Sequence, residues 1–201
     1  MPRKAQLTPE QQQSVLWFKD LLRKTAKADS AESYTKGERK VIKPGSMITF
    51  GYPNPKTPLK QLKFFDANPL VIIFNIKGRH IFGLNLHWTA RPMREIIMKM
   101  VIKINKSNID NNKNFELSWA EIKEFLVRNG LESIIVKQYI SARIKGLQYI
   151  PYSQWKYASV LPTEQFVFDG EYSMEDIQRM IRGASKKTQS SKNVRVGRPT
   201  K

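Results

Sequence analysis

The stretch Gly45 to Trp88, GSMITFGYPNPKTPLKQLKFFDANPLVIIFNIKGRHIFGLNLHW, constrains the fold more than any other. It holds the densest apolar and aromatic sequence in the chain. Met47, Thr49 and Gly51 alternate with Ile48, Phe50 and Tyr52, the period of a strand. Pro53-Asn54-Pro55 stops that run, because proline donates no ladder hydrogen bond and asparagine suits a turn. Leu70 to Ile76 is short, β-branched and nearly all apolar, as a strand covered on both faces should be. Lys77-Gly78 predicts a tight hairpin turn, and His80 to Trp88 its returning partner. On that return Ile81, Gly83, Asn85 and His87 share one face. Phe82, Leu84, Leu86 and Trp88 share the other, which is the core face by composition. Gly83 predicts a bend or a close backbone approach. Short strands with a bend fit a small curled barrel better than a flat sheet.

Helices are expected around this region. Thr8 reads as an N-cap, Pro9 fits the first helical position, and Gln11 completes a capping box. Val15, Phe18, Leu22 and Ala26 make the apolar stripe of that helix, with Lys19, Arg23, Lys24 and Lys27 mostly off it, as a solvated face. Residues 28–40 have no periodicity and read as a linker. A second helix follows Thr89, with Met93, Ile96, Ile97, Met100, Val101 and Ile104 inward and Arg94, Lys99 and Lys103 on its other side. Residues 105–114 are a polar loop, without the glycine and glutamate spacing of a calcium-binding loop. Ser118-Trp-Ala-Glu121 opens a third helix that stops at Gly130. Residues 132–144 suit helix or strand, and the shared face of Ile135, Tyr139 and Ile140 favours helix. Leu147–Ile150 and Trp155–Leu161 read as a closing pair of strands, and Ser173 to Gly183 as a last short helix.

The expected class is therefore α+β: a small antiparallel β-barrel of SH3-like type carrying a helical insertion. The expected parts are an N-terminal helix and linker over 1–40, a barrel domain over 41–170 with its insertion at 89–146, a helix over 171–183, and a disordered basic tail over 184–201.

Charge narrows the function. The chain has 35 basic and 17 acidic residues, a net charge of +18. Such a balance favours a polyanion, most simply nucleic acid. The tail from residue 184 carries 6 basic residues and no acid, whereas 146–183 carries 3 basic and 5 acidic residues. Arg195-Val-Gly-Arg-Pro199 resembles an AT-hook, except that Val196 stands where the hook has arginine. Without cysteine there is neither a disulfide nor a thiolate metal site, and an intracellular setting fits. No apolar run is long enough to cross a membrane, and the polar start MPRKAQ does not read as a signal peptide.

Catalytic signals are weak. The two histidines, His80 and His87, have no acidic residue within six positions, so both read as structural. Glu121-Ile-Lys123 and Glu38-Arg-Lys40 have a nuclease-like spacing, but on a predicted helix and a linker rather than a strand. Asp66 is the lone acid of the β region, and no glycine-rich phosphate loop is present. A non-enzymatic protein without cofactor or metal is expected.

Pro44-Gly-Ser-Met47, Phe50-Gly-Tyr-Pro53, Phe64-Phe-Asp66, Asn68-Pro-Leu70 and Gly83-Leu-Asn-Leu-His-Trp88 together carry a family likeness. With Trp155 and Leu161-Pro-Thr-Glu-Gln-Phe166, the chain resembles the DNA end protectors of tailed bacteriophages over roughly 44–170. The resemblance implies a virion protein on the end of packaged double-stranded DNA, shielding it from exonucleases and aiding head completion. It also implies portal, neck or tail components as partners, and a place in the virion and, during assembly, the host cytoplasm. Phosphate contacts are expected on basic residues at turns or off the core: Lys77, Arg79, Arg94 and Lys103, and in the tail Lys186, Lys187, Lys192, Arg195, Arg198 and Lys201. The competing expectation is a structural neck or baseplate protein whose basic surface meets acidic virion partners and never DNA.

Overall fold

A computed structural model of the chain describes residues 6–28, 43–53, 65–104, 119–166 and Arg179. The linker, the loop at 105–114, the last short helix except Arg179, and the basic tail lie outside the described residues.

Helix α1, Pro9–Lys27, starts as its sequence dictates. The Thr8 hydroxyl accepts from the Gln11 amide at 3.3 Å, and the Thr8 amide donates to Gln11 Oε1 at 3.0 Å. Its inward stripe is Ser14, Val15, Phe18, Leu21 and Thr25, rotated slightly from the expected one, so that Ala26 faces solvent. Strand β1 spans Met47–Gly51, β2 Leu70–Lys77 and β3 His80–Asn85. The β2–β3 turn places Gly78 at φ 58°, a backbone that side chains disfavour. After a 3-10 turn at Leu86–Trp88 come helices α2, Arg91–Ile104, α3, Trp119–Arg128, and the single turn α4, Glu132–Ile135. Gly130, at φ 61°, ends α3 as expected. Strands β4, Val136–Ile140, and β5, Lys145–Ile150, flank a 3-10 turn at Ser141–Arg143. Two more 3-10 turns, Tyr152–Gln154 and Thr163–Gln165, bracket helix α5, Trp155–Val160.

Two expectations are corrected. Residues 136–140 are strand rather than helix, and the helical insertion between β3 and β4 therefore stops at Ile135 rather than at 146. VKQYI fits either period over so short a span, and pairing against the exposed edge of β3 decides it: Ile81 lies opposite Tyr139, and Leu84 opposite Val136. Residues 155–160 are helix rather than strand. Their buried members, Trp155 and Ala158, stand three apart, which only a helix places on one face.

The five strands form one antiparallel sheet in the order β4-β3-β2-β1-β5. The ladder slips between Ile73 and Asn75 and between Thr49 and Gly51, and such irregularities bend strands. The result is a strong curl. Strands β1 and β4 stand three places apart in the order, about 14 Å in a flat sheet. Yet the rings of Phe50 and Tyr139 lie 5.1 Å apart, and the Ile140 amide donates to the Tyr52 hydroxyl at 3.1 Å. The sheet is nonetheless open, since β4 and β5 do not pair with each other among the described residues. The expected barrel is thus a curled open sheet.

Both faces are covered. Inside the curl, Ile48, Phe50, Tyr52, Val71, Ile73, Ile81, Tyr139 and Ile144 make one apolar cluster. The outer face, with Met47, Leu70, Ile72 and Leu84, packs under the helices against Phe18, Ile97, Ile122, Ile134 and Trp155 in the larger core. Gly83 fulfils its expectation of close approach: a Cβ there would stand 2.2 Å from Val71 Cγ1.

Candidate nucleic-acid interface and a buried polar centre

Lys77 and Arg79 flank the hairpin glycine and are exposed. The Ser141 amide donates to the Arg79 carbonyl at 2.9 Å, which holds the Ser141–Arg143 turn against the hairpin. Arg143 thereby joins the same end of the sheet, a neighbour that residue spacing alone could not supply. Lys99 is exposed on α2. Lys103 lies near the end of α2, with its side chain outside the described residues. Lys186, Lys187, Lys192, Arg195, Arg198 and Lys201 fall outside them altogether.

Arg94 is corrected. Instead of facing solvent it is 1% exposed. Its Nη1 donates to the carbonyls of Thr89 at 3.0 Å and Leu86 at 3.4 Å and to the Thr163 hydroxyl at 3.0 Å. Its Nη2 donates to the Leu161 carbonyl and its Nε to the Ser159 carbonyl at 3.2 Å. The guanidinium thus ties α2 to the turn before it and to the chain leaving α5. Burial lowers its pKa to about 10, with Glu164 pulling the other way, so it is charged at neutral pH. A planar fork with five donors suits this set of acceptors, and no phosphate can reach it.

A second centre was not legible as such in the sequence. Asp66, Asn85, His87 and Tyr139 come together, all at 9% exposure or less. Asp66 Oδ2 accepts from Asn85 Nδ2 and lies 2.9 Å from His87 Nδ1, while Oδ1 accepts from the Asn68 amide at 3.1 Å. Asn85 Nδ2 also donates to the Tyr139 hydroxyl at 3.2 Å, and Asn85 Oδ1 accepts from the His87 amide at 3.0 Å. His87 Nε2 has no hydrogen-bond partner. A proton on Nδ1 therefore satisfies Asp66 and leaves a bare lone pair on Nε2, which is less costly to bury than an orphaned N–H. The imidazole stands edge-on to Phe18 at 5.0 Å and stacks with Phe166 at 6.1 Å. Burial first, and the Asp66 charge second, push the Tyr139 phenol well above its usual value of 10.

This centre fastens the entry to β2, the end of β3 and the middle of β4. The acid that answers His87 lies 21 residues away, beyond any local spacing rule. Its only sequence trace is that Phe64-Phe-Asp66 and Gly83-Leu-Asn-Leu-His87 both belong to the stretches that carry the family likeness. His80, the other histidine, contacts Gln138 Nε2 at 2.6 Å. Among the described residues no three His, Asp or Glu side chains gather where they could hold a metal ion. Likewise no helix is long and apolar enough to cross a membrane.

Fold and site together define a strongly basic α+β protein with a curled antiparallel sheet, exposed cations at one end of it and an internal polar fastening. The chain matches the model of the phage T4 terminal DNA protecting protein family over residues 4–180, and it belongs to that family. The match extends past the stretch that carried the resemblance, taking in α1 and the region after Phe166. Membership supports a protective role at phage DNA ends. No curated protein and no solved structure matches the chain.

Proposed function

We propose that this protein binds the end of packaged double-stranded DNA without catalysing any reaction, shields that end from exonucleases, and aids completion of the phage head. The observation that carries the reading is the family match over residues 4–180. The net charge of +18 supplies the physical means, since each neutralised phosphate releases condensed counterions. The contacts are Lys77 and Arg79 on the hairpin, Lys103 at the end of α2, and Lys186, Lys187, Lys192, Arg195, Arg198 and Lys201 in the tail. Arg94 is excluded by its burial. Portal, neck or tail components are the protein partners, in the virion and earlier in the host cytoplasm during assembly. We read the curled sheet as SH3-like, supported by the apolar cluster in which side chains of both halves of the sheet meet.

The test compares a linear blunt duplex with a closed circle of the same sequence across a salt series, followed by exonuclease digestion of the linear form. Preference for the linear duplex at moderate salt, with slower digestion, is expected. Lys77→Glu with Arg79→Glu should weaken binding and flatten the salt dependence by about one unit of slope per cation removed. Equal binding of both forms that vanishes with salt means generic phosphate attraction and refutes the reading.

A further inference from the structure

Between α2 and α5 lies a cleft of about 460 Å³ that none of the expected contacts explains. One wall is a single face of α2, where Glu95, Met98 and Lys99 stand at helical spacing. The other wall is the Tyr152–Gln154 turn and the start of α5, carrying Tyr152, Trp155 and Lys156. Met98 and Trp155 are both 3% exposed and belong to the floor, whereas Tyr152 is 38% exposed, with its ring 5.4 Å from the Trp155 ring. Lys99 and Lys156 line the cleft and are exposed, with the Lys156 ammonium 5.1 Å from the centre of the Tyr157 ring. Glu95, the acid of the lining, is held by Arg91 Nε at 2.9 Å. Arg94 is the positioning residue here, since it joins the α2 wall to the carbonyls at the end of α5.

We infer that this cleft receives the terminal nucleotide of the DNA end, its base on Tyr152 and its phosphates between Lys99 and Lys156. The inference rests on the proposed function and deepens it by naming where an end differs from the interior of a duplex. An exposed aromatic face beside paired cations is how proteins hold unpaired nucleotides: the ring takes any base, and the cations take the backbone. The cleft volume falls in the range of small-ligand sites. A base inside a duplex is paired and stacked on both sides, whereas a terminal base gives up its pair and a single stack, and so leaves the duplex at lower cost. The pocket therefore selects ends by physics that a surface of lysines lacks.

The test uses the full chain and a blunt duplex carrying 2-aminopurine at the terminal position or at its centre. Binding should quench the terminal probe and leave the central one unchanged. Tyr152→Ala should abolish the quench and reduce the linear-over-circular affinity ratio by roughly 5- to 150-fold, the range spanned by the loss of one base–aromatic stack. Affinity for the circle should not move. Tyr152→Phe keeps the ring and should keep both signals, which separates stacking from a folding defect. Lys99→Gln and Lys156→Gln should each lower the salt slope for the linear duplex by about one unit, again with no change for the circle. End preference that survives Tyr152→Ala, with a silent terminal probe, overturns the inference and leaves the proposed function standing. The cleft then suits an acidic protein segment instead. A wild-type chain with no preference for ends overturns both.

Discussion

Replacing Arg94 by methionine sets two large electrostatic effects against each other. Methionine keeps much of the aliphatic volume and removes every donor. Hydrogen bonds to a charged group contribute about 1.5–3 kcal/mol each. The three strongest here, to Thr89, Thr163 and Leu161, therefore amount to about 5–9 kcal/mol. Against this stands the cost of burying the charge. A fall in pKa from 12.5 to about 10 corresponds to roughly 3 kcal/mol. Hydrogen bonding wins, and Arg94→Met should lose about 2–6 kcal/mol, a large share of the ~5–15 kcal/mol typical of a folded chain. Arg94→Lys keeps the charge without the planar fork and should fall between the two. Urea unfolding followed by tryptophan fluorescence measures this, provided the slope against denaturant is unchanged. A loss below about 1 kcal/mol, or a gain, would show that desolvation outweighs the bonds and refute the reasoning.

Asp66→Ala strands one hydrogen of the Asn85 amide, whose other bond to Tyr139 remains, and the His87 Nδ1 proton inside the core, and should cost about 2–4 kcal/mol in the same assay. The Tyr139 phenol has a folded pKa raised above its unfolded value, so above about pH 10 the unfolded chain releases a proton that the folded chain keeps. Stability should accordingly fall as pH rises past 10, and Tyr139→Phe should show a shallower fall in urea melts between pH 9 and 11. Gly146→Ala adds a Cβ 2.0 Å from the Thr25 carbonyl oxygen at φ 54°. It should cost more than about 2 kcal/mol and free α1 to limited proteolysis; a protected α1 would mean that the contact yields easily.

Much of the architecture follows from local rules that the sequence obeys. The Thr8 capping box, the Gly78 hairpin and the Gly130 helix stop all stand where the residues put them. The runs Met47–Gly51 and Leu70–Lys77 are strands because β-branched and aromatic side chains pack well on a sheet with two covered faces. The family likeness was legible too, because it rests on ordered short motifs. The candidate interface was half legible. Lys77 and Arg79 could be placed at a turn, but nothing local showed that Ser141–Arg143 joins them.

Charge on a helix face is a weaker guide, and Arg94 shows why. One turn before Met98, it occupies a position that α2 directs toward α5, and only the packing of α5 creates the carbonyls that make an arginine worth burying there. The same limit explains Val136–Ile140 and Trp155–Val160, segments too short for their own period to decide between helix and strand. By itself, then, the sequence determined element type where capping, turn chemistry and long apolar runs agree, and it determined the basic character and the family. Tertiary structure alone decided that the curled sheet stays open, and decided the Asp66–His87 fastening, the burial of Arg94 and the cleft beside Tyr152. Each of these depends on groups between 21 and 89 residues apart meeting at a few ångströms, and no local periodicity encodes such a meeting.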